Sequence, residues 1–225
     1  MRKIGFIGAF DKTDLMLYTA KILTGLGKRV LILDTTVLQK SRYIVPSIVP
    51  TKVYVTTYED IDIAVGFEDL LSANDYLGDI ENDYDILLID IDSYEMFENF
   101  NMQEVTKLYF VTAFDNFSLM KGMEIIAGIK QTIQMTKVFF EREIHDEYEE
   151  YLNLLSYSRP IEWNEERIFF PYDEGDLTAM IENQRVSKIN LRNLSEQYRD
   201  SLMVLALDIA PEYSYSDVKK VIKKI

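Results

Sequence analysis

Arg29-Val30-Leu31-Ile32-Leu33-Asp34 is a short run that stays apolar from Val30 to Leu33. A strand with one wet face alternates apolar and polar residues. A strand covered by helices on both faces of a parallel sheet stays apolar throughout. Working outward, Lys3–Gly8 is a second compact β-type run. Between the two, Leu15, Tyr18, Ile22 and Leu26 keep a helical spacing over Lys12–Leu26, which Gly25 and Gly27 interrupt. Downstream, Tyr84–Ile91 is the most strand-like segment of the chain, and Leu108–Thr112, Lys137–Phe140 and Arg167–Phe170 continue the series. Phe67–Tyr76 reads as helix, while Lys52–Thr57 and Ile61–Val65 read either as two short strands or as one interrupted strand. Strands alternating with helices predict an α/β fold, a doubly wound and mainly parallel sheet with helices on both faces and right-handed crossovers.

The chain has 225 residues, 48% of them hydrophobic, which suits one domain with a real core. Its 38 acidic residues against 24 Lys and Arg give a formal charge of −14. Phosphate affinity rests on Lys and Arg releasing counterions, so no direct nucleic-acid ligand is expected. There is no Cys, which removes thiolate metal sites, Cys nucleophiles and disulfides. No apolar run reaches the roughly 18 residues of a membrane span, and a strand-like segment begins the chain, so a soluble cytoplasmic protein is the expectation. The run Glu141–Glu150 holds six carboxylates and the only histidine, His145. Oxygen ligands suit a hard cation, but no ligand spacing or turn glycine supports one, so a solvated charge run is the preferred reading.

In nucleotide folds the chemistry sits where the first strand turns into the first helix, because backbone N–H groups meet phosphate there. That turn is Gly8-Ala9-Phe10-Asp11-Lys12-Thr13-Asp14. Taken alone it is no phosphate loop, since the second loop glycine is missing. The ordinary alternative is that Lys12 pairs with Asp11 or Asp14, and that Asp34 and Asp90 only end their strands.

The layout as a whole resembles the ParA/MinD family of deviant-Walker P-loop ATPases over roughly residues 2 to 209. Lys12-Thr13 falls on the family's final Lys-Thr, and Gly27–Asp34 is similar to its second strand with the terminal Asp. Tyr84–Asp90 is similar to the Walker B strand, Phe170-Pro171-Tyr172-Asp173 to the segment that brings a proline near adenine, and Glu182-Asn183-Gln184 to a phrase before the last helix. The resemblance implies ATP or ADP with magnesium as ligand, on Gly8, Asp11, Lys12, Thr13, Asp34, Asp90 and Pro171, with Thr13 and Asp90 on the metal. It also implies protein partners in a larger assembly and a homodimer. The departures are specific. Ile7 stands where the family has its cross-dimer Lys, Asp11 where it has a loop glycine, Thr36 where it has a water-positioning Asp, and Glu141 where it has a base-contacting Asn. After Asp90, the segment Ile91-Asp92-Ser93-Tyr94 lacks the family's proline.

Phosphoryl transfer relies on positioning and on positive charge. Asp11 beside a polyphosphate costs roughly 4 kcal/mol at about 4 Å and an effective dielectric near 20. A Cβ also resists the left-handed geometry that glycine supplies. A degenerate site on a positioning or scaffolding protein is therefore preferred to an active ATP-driven dimerisation switch. Without the family's Lys, the dimer is expected to form independently of ATP. A small-molecule enzyme is the third reading, but no nucleophile–base pair supports it.

The last sixteen residues, 210–225, form a basic appendage. Pro211 ends a helix, Ser216-Asp217 is an N-cap pair, and Val218, Val221, Ile222 and Ile225 make one apolar stripe. Lys219, Lys220, Lys223 and Lys224 occupy the other side. Two expectations follow: a peripheral contact with the inner membrane face through Val218–Ile225, or packing of the stripe on the domain, the latter slightly preferred.

Overall fold

The computed structural model describes residues 1–46, 51–143 and 145–225, so Ile144 of the acidic run lies outside the described residues. The described residues form eight strands: β1 (Arg2–Ile7), β2 (Val30–Asp34), β3 (Tyr54–Tyr58), β4 (Ile61–Val65), β5 (Ile86–Ile91), β6 (Lys107–Thr112), β7 (Ile133–Glu141) and β8 (Ile161–Pro171). They build one sheet in the order β3-β4-β2-β5-β1-β6-β7-β8. Every neighbouring pair is parallel except β3 with β4. The helices are α1 (Thr13–Gly25), α2 (Ser41–Ile44), α3 (Leu70–Leu77), α4 (Ile80–Asp83), α5 (Tyr94–Asn99), α6 (Asn116–Gly128), α7 (Asp146–Ser156), α8 (Glu174–Val186), α9 (Glu196–Ile209) and α10 (Tyr215–Ile222).

Strand side chains alternate between faces, and both faces are apolar, so two cores form. Ile4, Phe6, Ile32 and Leu88 face a layer of α1, α8, α9 and α10. Ile7, Leu33, Leu87 and Ile89 face α3, α5, α6 and α7. Ile7 is fully buried in this second core. The two short runs left open in the sequence are two strands in an antiparallel hairpin. Its turn residues, Glu59 (φ 54) and Asp60 (φ 66), are both left-handed, the geometry that matches strand twist. Lys21 of α1 grips this turn, donating to Glu59 O at 2.8 Å and lying 3.0 Å from the Glu59 carboxylate.

Strand order reverses at β1, which lies between β5 and β6. In open parallel sheets a crevice opens at such a point, beyond the C-terminal strand ends. Residues 8–14 run there.

At the other end of the chain, α10 begins earlier than expected. Ser214, not Ser216, is the N-cap, and it forms a reciprocal capping box with Asp217. Val218 is fully buried and Ile222 nearly so, with Val221 and Ile225 packed against the same core. Gly25 makes the close approach feasible, since a Cβ there would lie 2.4 Å from Val221 Cγ1. Tyr213 Oη donates to Leu26 O at 2.7 Å, and Glu212 pairs with Arg2 at 2.6 Å and Lys28 at 2.7 Å. Of the two expectations for Val218–Ile225, the packing of the stripe on the domain is what the structure shows, with Val218 and Ile222 buried and Val221 and Ile225 partly so. The four lysines stay exposed. Among the described residues no helix is long and apolar enough to cross a membrane.

Candidate functional site

Gly8 follows β1 with φ +142, and any Cβ there would meet Val111 O at 2.1 Å. The chain then turns through Ala9, Phe10 and Asp11 into α1. Lys12 is buried and curls back into this turn. Its ammonium donates to Gly8 O and, at 3.1 Å, to Phe10 O, and lies 3.0 Å from Asp90 Oδ1. Lys12 thus pairs with Asp90 at the end of β5, and the expected pairing with Asp11 or Asp14 is corrected. The reason is geometric: Asp11 points along α1 and serves its first turn.

Asp11 Oδ1 accepts the Thr13 N–H at 3.1 Å and the Thr13 hydroxyl at 2.9 Å, while Oδ2 lies 2.5 Å from Lys40 Nζ. A carboxylate at a helix N-terminus is favourable, because the unpaired N–H groups and the dipole are positive there. Burial pushes the Asp11 carboxyl up, but the Lys40 charge and the Thr13 donors outweigh it and hold it below the ordinary carboxylate value.

Asp34 ends β2 buried and organises the loop that follows. It accepts from Thr36 N (3.1 Å), Thr36 Oγ1 (2.6 Å) and Ser41 N (3.1 Å). That loop is what brings Lys40 to Asp11. Asp92 Oδ2 fixes the same loop by accepting the Val37 N–H at 2.9 Å. Thr36, Lys40, Asp90, Asp92, Lys12 and Thr13 border one cavity of about 200 Å³, with Asp11 at its side. Asp34 sits beneath it and does not line it. Pro171 does not line it either; it is buried at the end of β8 opposite Glu141. Glu141 accepts the Phe114 N–H at 3.1 Å. His145 is half-exposed, its nearest charged partner being Glu143 at 3.8 Å. Among the described residues no three His, Cys, Asp or Glu side chains are grouped to hold a metal ion. Sequence reasoning missed Lys40 and Asp92. Nothing in the pattern marks Lys40, because only the loop tied down by Asp34 gives it its position.

Burial pushes the Asp90 carboxyl up to about 7; Lys12 opposes the shift, and Asp34 and Asp92 add to it. Asp14 rises to about 6, through burial first and Asp11 second. A carboxyl raised on folding holds its proton while the unfolded chain has lost it, so stability falls as pH rises through that window and levels off above it. Chemical denaturation is therefore expected to show declining stability from about pH 4 to pH 7 from these two groups. In Asp90→Asn the decline should be shallower between pH 5 and 7, and an unchanged slope would contradict the assignment.

No protein-family profile matches the chain, nor does any curated protein sequence. Solved structures do match in fold. MinD cell division protein from Aquifex aeolicus superposes with a TM-score of 0.61 at 13% identity, over 95% of this chain and 98% of that one. A complex of a Cyanothece McdA variant with ATP gives 0.57 at 9% identity, over 94% and 96%. A ParA family ATPase from Chlorobium tepidum TLS gives 0.54 at 14% identity, over 99% and 97%. The architecture is the α/β fold of the MinD and ParA proteins.

Proposed function

We propose, from this fold and from the turn at residues 8–14, that the chain is a ParA/MinD-like positioning or scaffolding component of a larger assembly, with ATP binding and hydrolysis weak or lost. The observation that carries the reading is the Asp11 carboxylate on the Thr13 N–H and hydroxyl at the start of α1. A phosphate would use the same donors. Lys12 supports it, because its ammonium is engaged by two loop carbonyls and by Asp90. The cavity lining also carries three carboxylates, Asp11, Asp90 and Asp92, against two ammonium groups, Lys12 and Lys40. Both ammonium groups are already engaged by these carboxylates, so a polyphosphate entering there finds no free cation among them. On this reading the residues present do not suit a magnesium nucleotide, although Lys12, Thr13 and Asp90 do share one cavity. That sharing is what the second reading rests on, an active dimerisation switch with slow hydrolysis.

Calorimetry with Mg-ATP separates the two. No binding in the micromolar range is expected for the wild type, with improvement in Asp11→Gly; low-micromolar wild-type affinity would refute the proposal. Turnover above background that disappears in Lys12→Ala would favour the switch. Partners on this reading are proteins, and the charge of −14 speaks against DNA. A homodimer, where one forms, should show the same light-scattering mass with and without ATP, because the buried Ile7 leaves no cross-dimer cation at that position.

A further inference from the structure

Beside the filled turn lies a second cavity, of about 260 Å³, which shares Phe10, Asp11 and Lys40 with the first and is otherwise lined by residues with no role above. Its aromatic side is Phe10, Phe140 and Tyr172. Phe10 stacks on Phe140 with centroids 4.6 Å apart, and Tyr172 stands edge-on to the two rings at 75° and 89°. Leu177, Met180 and Ile181 of α8 supply an apolar side. Two polar groups border it without a cationic partner. The Asp14 carboxylate accepts from Gln184 Nε2 at 2.8 Å, and among the described residues no Lys or Arg lies within ion-pair distance of it. The nearest ammonium in the lining, Lys40, is held by Asp11. Tyr198 is fully buried, and its hydroxyl has no hydrogen-bond partner among the described residues. A buried hydroxyl left without a partner is costly, and Tyr198 is among the residues that line this cavity.

We propose that this cavity binds an organic monocation, the ammonium or guanidinium end of an alkyl chain. The N–H groups would donate to Asp14 and to the Tyr198 hydroxyl, and the alkyl stem would lie against the Phe10–Tyr172 corner. Aromatic faces attract cations through their quadrupole, and such corners recur where alkylammonium groups are recognised. Anionic ligands are disfavoured by Asp11 and Asp14 on the lining. The same chemistry is available from a free amine or from a partner's Arg or Lys side chain. The inference rests on the reading that the turn at residues 8–14 is filled from within, but the two fail separately.

The test is an NMR titration of the full chain with n-butylguanidinium, n-butylammonium and the neutral isostere n-butylurea. The cations are expected to shift the ring signals of Phe10, Tyr172 and Tyr198 saturably, with butylurea at least tenfold weaker. Asp14→Asn should weaken butylguanidinium about tenfold, and Tyr172→Leu, away from the first turn of α1, should weaken it as well. Equal binding of butylurea, preference for adenosine over the cations, or unaltered affinity in both variants would overturn the proposal. N-acetyl-arginine methylamide distinguishes the sources: retained affinity identifies a partner's side chain entering end-on, lost affinity an enclosed free amine. Tight Mg-ATP binding would refute the filled-turn reading alone, whereas absence of both ATP and cation binding would refute the present inference alone.

Discussion

Lys12→Ala is expected to destabilise the fold by about 3–5 kcal/mol, the usual cost of removing one partner of a buried ion pair. The lysine of an open phosphate cradle reaches for its ligand and contributes little to the stability of the free protein. Here the ammonium is buried, satisfies Gly8 O and Phe10 O, and is the cation beside the buried Asp90. Removal leaves two carbonyls without a donor and one carboxylate without a counter-charge. Asp90 should respond by keeping its proton to higher pH, so the deficit should grow between pH 6 and pH 9. Urea denaturation at both ends of that range measures it. A loss under 0.5 kcal/mol, the scale of an ordinary surface substitution, would show that Lys12 is not structural. The paired change Lys12→Met with Asp90→Leu should recover much of the loss, since an apolar pair replaces a buried ionic one at little cost.

Deleting residues 214–225 is the second large effect. Val218 and Ile222 lose burial worth about 1.5–3 kcal/mol each, and the face of α1 around Gly25 becomes exposed. For a domain of this size the melting temperature should fall by about 10 °C or more. Binding to anionic liposomes at low salt should be absent in the intact chain. An unchanged melting temperature together with salt-sensitive liposome binding lost on deletion would restore the membrane contact. Gly25→Ala offers a point substitution of the same interface, because its Cβ must displace Val221.

The sheet was legible because burial on both faces writes itself as unbroken apolar runs, as in Val30–Leu33 and Ile86–Ile89. The pairing of β3 with β4 was not, since alternation says which side chains face inward and nothing of which strand is the neighbour. The first half of β8 escaped because Glu162, Asn164, Glu165 and Glu166 are exposed, so no apolar run marks it. At the site, Lys12, Thr13 and Asp90, singled out from the sequence, border one cavity. The pairing differed because a lysine side chain is long enough to reach Asp11, Asp14 or Asp90. Only the helix start, by engaging Asp11 through Thr13, decides among them.

The sheet ends on β8, eleven residues long, and among the described residues no strand lies on its outer side. Towards its C-terminal end β8 is met by α9, whose Ser201 hydroxyl donates to the Phe169 carbonyl. An open rim is a template on which another chain can add a strand and propagate into aggregates, and here a register shift opposite Met135–Lys137 interrupts it. Glu162, Glu165 and Glu166 line it, so two copies approaching rim to rim bring glutamates against glutamates. Acidity along this rim thus keeps concentrated copies from zipping together, and that protection weakens as the solution is acidified towards the isoelectric point near 4.6.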